Sequence, residues 1–96
     1  MAKIELYVVT TEQPNAGKLN ELKRKICEKF GGLTIIPKCE GLWLDNGKIC
    51  ADNVEIWQIL TADIDVKFVK EISEQLKALC KQKSQLFTIR DNPFFI

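Results

Sequence analysis

The chain contains no histidine, and that absence removes several kinds of chemistry at once. Neither a Ser-His-Asp nor a Cys-His nucleophile can be assembled without an imidazole base. Histidine-based zinc triads fall with them. Thiols remain, as Cys27, Cys39, Cys50 and Cys80, but they are scattered and form no C-x-x-C pair. Zinc ligands usually come in close pairs, and disulfide frameworks belong to secreted chains. The spacing therefore predicts four reduced, buried structural thiols, with no metal and no cofactor. Two carboxylates can do general acid–base work, yet no pair among the 13 acidic residues stands apart from ordinary surface acids.

Asn15–Leu19, "NAGKL", looks like a fragment of a phosphate loop. A P-loop also needs a glycine five positions before Gly17 and a Ser or Thr after Lys18, and both are missing here. The segment reads as a helix start, with at most an anion site at its N-terminus. Polar groups suited to a ligand cleft are Glu40, Trp43 and Asp52, with Arg90 joining them. Leu42, Trp43, Leu44 and Ile49 are candidate interface anchors, as are Tyr7 and Trp57 along the sheet. These eight side chains, without Asp52, are the candidate ligand or interface residues; none is assigned a catalytic role.

The elements that must position these residues follow from periodicity and punctuation. Lys3–Thr10 is β-branched and aromatic, as a central strand should be. Asn15 can cap a helix in which Ala16, Leu19, Leu22, Ile26 and Phe30 recur at three- and four-residue steps, and Gly31-Gly32 stops it. Residues 33–45 and 48–61 then form a hairpin around Asn46-Gly47, because a type I′ turn needs positive φ at both positions. In that register Asp45 faces Lys48, Lys38 faces Glu55 and Leu33 faces Leu60; a bulge near Cys50 to Asn53 is the alternative. Pro37 lacks the N–H of a central strand, which sends its strand to a sheet edge. A second helix runs from Val66 to Lys81, capped by Asp65, with Val69, Ile72, Leu76 and Leu79 buried. Residues 84–90 make a last strand, and a turn and an apolar end, Phe94 to Ile96, follow it.

The order is β-α-β-β-α-β over one domain, residues 1–96. Right-handed crossovers put both helices on one face of a four-stranded antiparallel sheet of order 4-1-3-2, a ferredoxin-like α+β sandwich. The hairpin should outreach the helices. Leu33 to Leu44, extended at ~3.3 Å per residue, spans roughly 40 Å. A helix of about 16 residues covers only about 24 Å. Its exposed apolar tip needs a cover, and a second copy of the chain is the expected one.

Phe30, Gly31, Gly32, Leu33 and Thr34, then Gly41, Trp43, Asp45 and Gly47, resemble a loose F-G-G-L-T…G-x-W…D-x-G pattern of small bacterial and phage-borne proteins of unknown function. The resemblance covers about a fifth of the chain. It implies a ferredoxin-like domain that self-associates, and it transfers no catalytic residue.

Composition sets the remaining bounds. A net charge of +1, with 14 basic and 13 acidic residues interspersed, gives no footprint for nucleic acid or an anionic membrane. No apolar run is long enough to span a bilayer, and "MAKIELYVVT" followed by "TEQPN" lacks a signal-peptide cleavage site. The expected protein is cytoplasmic, non-catalytic and homodimeric, and it binds a small molecule or a protein partner. The alternatives are a small enzyme of the dimeric α+β barrel type, with Glu55, Gln58 and Arg90 in its cavity, or a single-stranded nucleic-acid-binding module. The last would use Tyr7 for stacking but lacks the basic, aromatic-rich strand such modules carry.

Overall fold

Side chains alternate in and out from the second residue onward. Ala2, Ile4, Leu6 and Val8 are buried, while Lys3, Glu5, Tyr7 and Val9 are half-buried. In the computed structural model, which describes all 96 residues, this segment is strand β1, Ala2–Val9. It is followed by α1 (Ala16–Phe30), β2 (Thr34–Asp45), β3 (Lys48–Thr61), α2 (Val66–Leu79), β4 (Leu86–Ile89) and β5 (Asn92–Phe95). The strands form one antiparallel sheet of order β2-β3-β1-β4-β5.

That order corrects the expected four-stranded sheet. The first four strands lie as 4-1-3-2 when read from the β4 side, and β5 adds a fifth strand outside β4. The stretch read as a turn and an apolar tail pairs instead: Ile89 opposes Asn92 and Phe87 opposes Phe94. The turn between them is Arg90-Asp91, with φ of 52° and 65°. Two positive φ values make a tight hairpin, here reached without glycine. Pro93 is accommodated because β5 is an edge.

Both helices begin where their caps predict, and α1 also ends where its glycines predict. Asn15 Oδ1 accepts from the Lys18 N–H at 3.0 Å, and Gly31 takes the left-handed conformation (φ 89°) while its N–H donates to Cys27 O. Asp65 accepts from the Phe68 N–H at 3.0 Å, and α2 stops at Leu79, two residues short of the expected Lys81. Ala16 is exposed rather than part of the buried stripe. Leu19, Leu22 and Ile26 of α1 join Val69, Ile72, Leu76 and Cys80, and pack with Ile4, Leu6, Val8, Trp57, Ile59 and Phe87 of the sheet. Phe30 meets Phe68 edge-on at 5.6 Å, and Lys29 pairs with Asp65 at 3.0 Å, which ties the end of α1 to the start of α2.

The long hairpin has the expected turn but not the expected register throughout. From Asp45↔Lys48 to Cys39↔Val54 the pairs are those the Asn46-Gly47 turn dictates. The ladder then slips by one residue between Ile36 and Cys39, so that Ile36 opposes Ile56 and Thr34 opposes Gln58. The pairs Lys38–Glu55 and Leu33–Leu60 therefore do not form. The bulge sits at Pro37-Lys38 rather than at Cys50 to Asn53, because Pro37 has no N–H to donate and Lys38 takes a φ of 56°. β1 stops pairing at Val9↔Val54, so residues 48–53 with their β2 partners project as a two-stranded arm. The molecule extends over 41 × 29 × 22 Å.

Candidate functional site

Both helices cover the face of the sheet that carries Ile4, Leu6, Val8 and Trp57. The opposite face is left open. At its centre lies Glu5. One carboxylate oxygen is approached by the Tyr7 hydroxyl at 3.4 Å and the Thr88 hydroxyl at 3.5 Å, and the other by Gln58 Nε2 at 3.3 Å. The register explains the gathering: Glu5 opposes Gln58 on β3 and Thr88 on β4. These contacts are long for hydrogen bonds to a carboxylate, so Glu5 retains acceptor capacity. It also has no cationic partner within ion-pair distance, since Lys3 on the same row turns to Asp91 at 3.3 Å. Partial burial and the neighbouring Glu5 charge push the Tyr7 hydroxyl pKa above its ordinary 10.0. Tyr7 therefore stays a neutral donor at physiological pH.

A second constellation fixes the root of the arm. Trp43 donates its indole N–H to Asp52 Oδ2 at 2.9 Å, and Thr11 donates to Asp52 Oδ1 at 2.8 Å. Thr11 Oγ1 in turn accepts from the Asn53 N–H, and the Thr10 N–H donates to Asn53 O. Both carboxylate oxygens of Asp52 are thus committed to holding the arm against the loop after β1. Gly41 lies opposite Asp52, where a Cβ would sit 3.1 Å from a methyl of Val54.

The apolar residues expected to cluster on the hairpin are divided between its two sides. Leu42, Leu44 and Ile49 share one side and are 63%, 71% and 71% exposed; Trp43, on the other with Cys50, is 50% exposed. Glu40 is exposed and opposes Asn53.

Two expected members of the site lie elsewhere. Trp57 is fully buried on the helix side, with its indole N–H donated to Glu55 at 3.0 Å and Lys23 over its ring. It opposes Leu6, so it cannot share a face with Tyr7, which opposes Ile56. Arg90 lies in the β4–β5 turn, and its N–H donates to Lys3 O at the start of β1, the end of the sheet away from the arm. It cannot line a cleft with Glu40 and Trp43. Nor do the three cavity candidates of the enzyme alternative converge, since Glu55 lies on the helix side, Gln58 on the open side and Arg90 in a turn. Glu5, Thr11 and Thr88 went unnoticed in the sequence. The alternation Lys3, Glu5, Tyr7 between apolar residues was the signal that marks a row facing away from the core.

The thiols also depart from expectation. Only Cys80 is buried; Cys39 and Cys50 are half-buried, Cys27 is exposed, and all four are unpaired. Burial, with a smaller effect from Glu55, pushes the Cys80 thiol up to about 11, which leaves it inert. No helix is long and apolar enough to cross a membrane.

No protein-family profile matches the sequence, and no curated protein is significantly similar to it. Similarity appears at the level of shape. A phage SAM lyase in complex with S-methyl-5'-thioadenosine superposes with a TM-score of 0.68 at 12% identity, over 99% of this chain and 88% of that one. The divalent cation tolerance protein CutA1 of Thermus thermophilus gives 0.60 at 14% identity, over 93% and 82%. CutA1 of Oryza sativa gives 0.58 at 20%, over 98% and 81%. At such identities the likeness concerns the backbone alone: the chain has the small α+β architecture that these proteins share.

Proposed function

We propose that residues 1–96 act as one cytoplasmic, self-associating domain that binds a small ligand or a protein partner on the sheet face its own helices leave open. The observation that carries this reading is the uncovered Glu5, Tyr7, Gln58 and Thr88 row, continuous through Ile56 and Cys39 with the Trp43 side of an arm whose other side exposes Leu42, Leu44 and Ile49. A face of that kind is too polar to be a core. It is also too apolar, beside the half-buried Val9 and Ile56, to be left simply to water. A second copy is the natural cover for the arm, since one patch serves both subunits of a homodimer. A ligand then binds where the open faces or arms meet, and Tyr7 and Trp43 are the residues we assign to contact it, with Glu40 on the other side of the arm. The function is one of binding rather than catalysis, because neither constellation contains a nucleophile with a base beside it. Sedimentation velocity across a concentration series tests the self-association. A species that remains a monomer at high micromolar concentration would refute it.

A second reading is favoured by one observation, the superposition of nearly the whole chain on a phage SAM lyase. On this reading the open face accepts S-adenosylmethionine, and a neutral Tyr7 beside the unpaired Glu5 carboxylate supplies the polar contacts. Incubation with S-adenosylmethionine and detection of S-methyl-5'-thioadenosine by mass spectrometry tests it. No product above the protein-free control, together with no saturable binding of either compound, rejects the reading.

A further inference from the structure

The overall balance of +1 conceals a separation of charge between the layers. Ala16–Phe30 holds five basic and two acidic side chains, and Val66–Lys83 also holds five and two. The helix layer and its exit thus carry a formal excess of six positive charges, and the remainder of the chain is net negative. Part of that excess surrounds one groove of about 500 Å³ between α1 and α2. Lys18 and Lys25, one heptad apart on α1, face Lys81 beyond the end of α2, while Leu22, Ala78 and Leu79 supply apolar lining. Glu21 is the one acidic residue of the lining. None of the three lysines is in an ion pair, whereas Arg24 and Lys29 on the same helix are held by Glu28 and Asp65.

We infer that this groove binds a small organic anion, a phosphate or carboxylate carried on an apolar body. Three cations around one acid favour an anionic head, and their own repulsion is relieved when it binds. The Ala78 and Leu79 surface, backed by the buried Leu22, gains only from an apolar body, which a bare inorganic anion or a nucleic-acid backbone does not offer. The volume lies in the range of small-molecule sites, ~300–1,000 Å³. Lysine stems can lie along the apolar wall while their ammonium groups reach the head. The groove lies on the helix layer, away from the open sheet face, and so does not depend on the function proposed above.

Hexyl phosphate is a suitable probe, followed by amide chemical shifts of the full chain. Saturable shifts confined to residues around 18–25 and 78–81 are expected, with inorganic phosphate at least tenfold weaker and hexylammonium inactive. K18S/K25S/K81S, folded by circular dichroism, should weaken hexyl phosphate at least tenfold. K67S/K70S/K83S removes the same charge from outside the groove and should change affinity less than threefold. No saturable shift at millimolar probe overturns the inference. So does equal binding of hexylammonium, or equal weakening by the two triple variants, which would indicate diffuse attraction alone.

Discussion

Replacing Leu42 and Leu44 with glutamate should turn a self-associating protein into a folded monomer. Both side chains lie on one side of the arm and are 63% and 71% exposed, so neither contributes to the core. Complete burial of a large apolar side chain is worth ~1.5–3 kcal/mol, so covering the exposed part of each is worth on the order of 1–2 kcal/mol. A twofold contact covers each residue twice, which puts the loss for the double variant at roughly 4–8 kcal/mol before charge repulsion is counted. At 1.4 kcal/mol per decade even the lower figure weakens association about a thousandfold. Thermal unfolding should barely move when monomers are compared, since surface changes cost within about 0.5 kcal/mol. Sedimentation velocity and light scattering read the first effect, and circular dichroism the second. If the double variant associates as strongly as the wild type, the arm is not the contact. If the wild type is already monomeric at high micromolar concentration, there is no contact to explain.

Other expectations follow from the same geometry. Ile72→Ala or Leu76→Ala should each cost on the order of 2–5 kcal/mol in urea unfolding, because both are buried in the shared core; stability unchanged by both would mean α2 does not pack there. At neutral pH Cys27 should react with a thiol reagent within minutes while Cys80 stays silent until the protein unfolds, and mass spectrometry of the native protein should find neither zinc nor a disulfide. Asp52→Ala releases both Trp43 and Thr11, so hydrogen exchange should quicken in residues 39–53 and stay unchanged in α2. Asp65→Ala should lower the melting temperature at neutral pH. The Phe68 N–H, then Lys29, hold its carboxyl below the ordinary 3.8, so the stabilisation is present above that pH and is lost as pH falls below it. A difference between wild type and variant that persisted at pH 2 would contradict that account.

Local chemistry in the sequence was a good guide wherever one residue type decides a conformation. Asn15, Gly31, Asp65 and Asn46-Gly47 each supply a cap or a turn that few other residues supply so well, and each lies where its chemistry predicts. Arg90-Asp91 makes the contrasting case. Both residues adopt positive φ, yet neither carries the glycine or asparagine that marks such a turn, so β5 was hidden. Pro37 was read correctly as an edge residue but not as the site of the bulge, although its missing N–H argues for both. Trp57 failed for another reason. In "NVEIWQIL" both rows of alternate residues mix apolar and polar groups, so nothing local says which row faces the helices. Glu55 lies on the buried row because it accepts the Trp57 indole N–H, a contact that makes an acid look misplaced until the fold is known.

The same ambiguity explains why fold was easier to read than site. Burial is recorded along a helix or strand as a period, and a period survives in the sequence of one element. The Glu5 group is instead assembled across three strands, from residues separated by as many as 83 positions, and depends on two registers at once. A slip of one residue in either pairing would send Gln58 or Thr88 to the helix side and leave Glu5 without its donors. No spacing rule records such a group, in contrast to a P-loop or a zinc knuckle, whose ligands share one short segment. The arm is similar: Trp43, Asp52 and Thr11 meet only because β3 runs past the end of β1 and the loop after β1 turns back to hold it. The residues that distinguish this chain from any other α+β sandwich are those whose positions depend on register, and register is set by packing of the whole sheet.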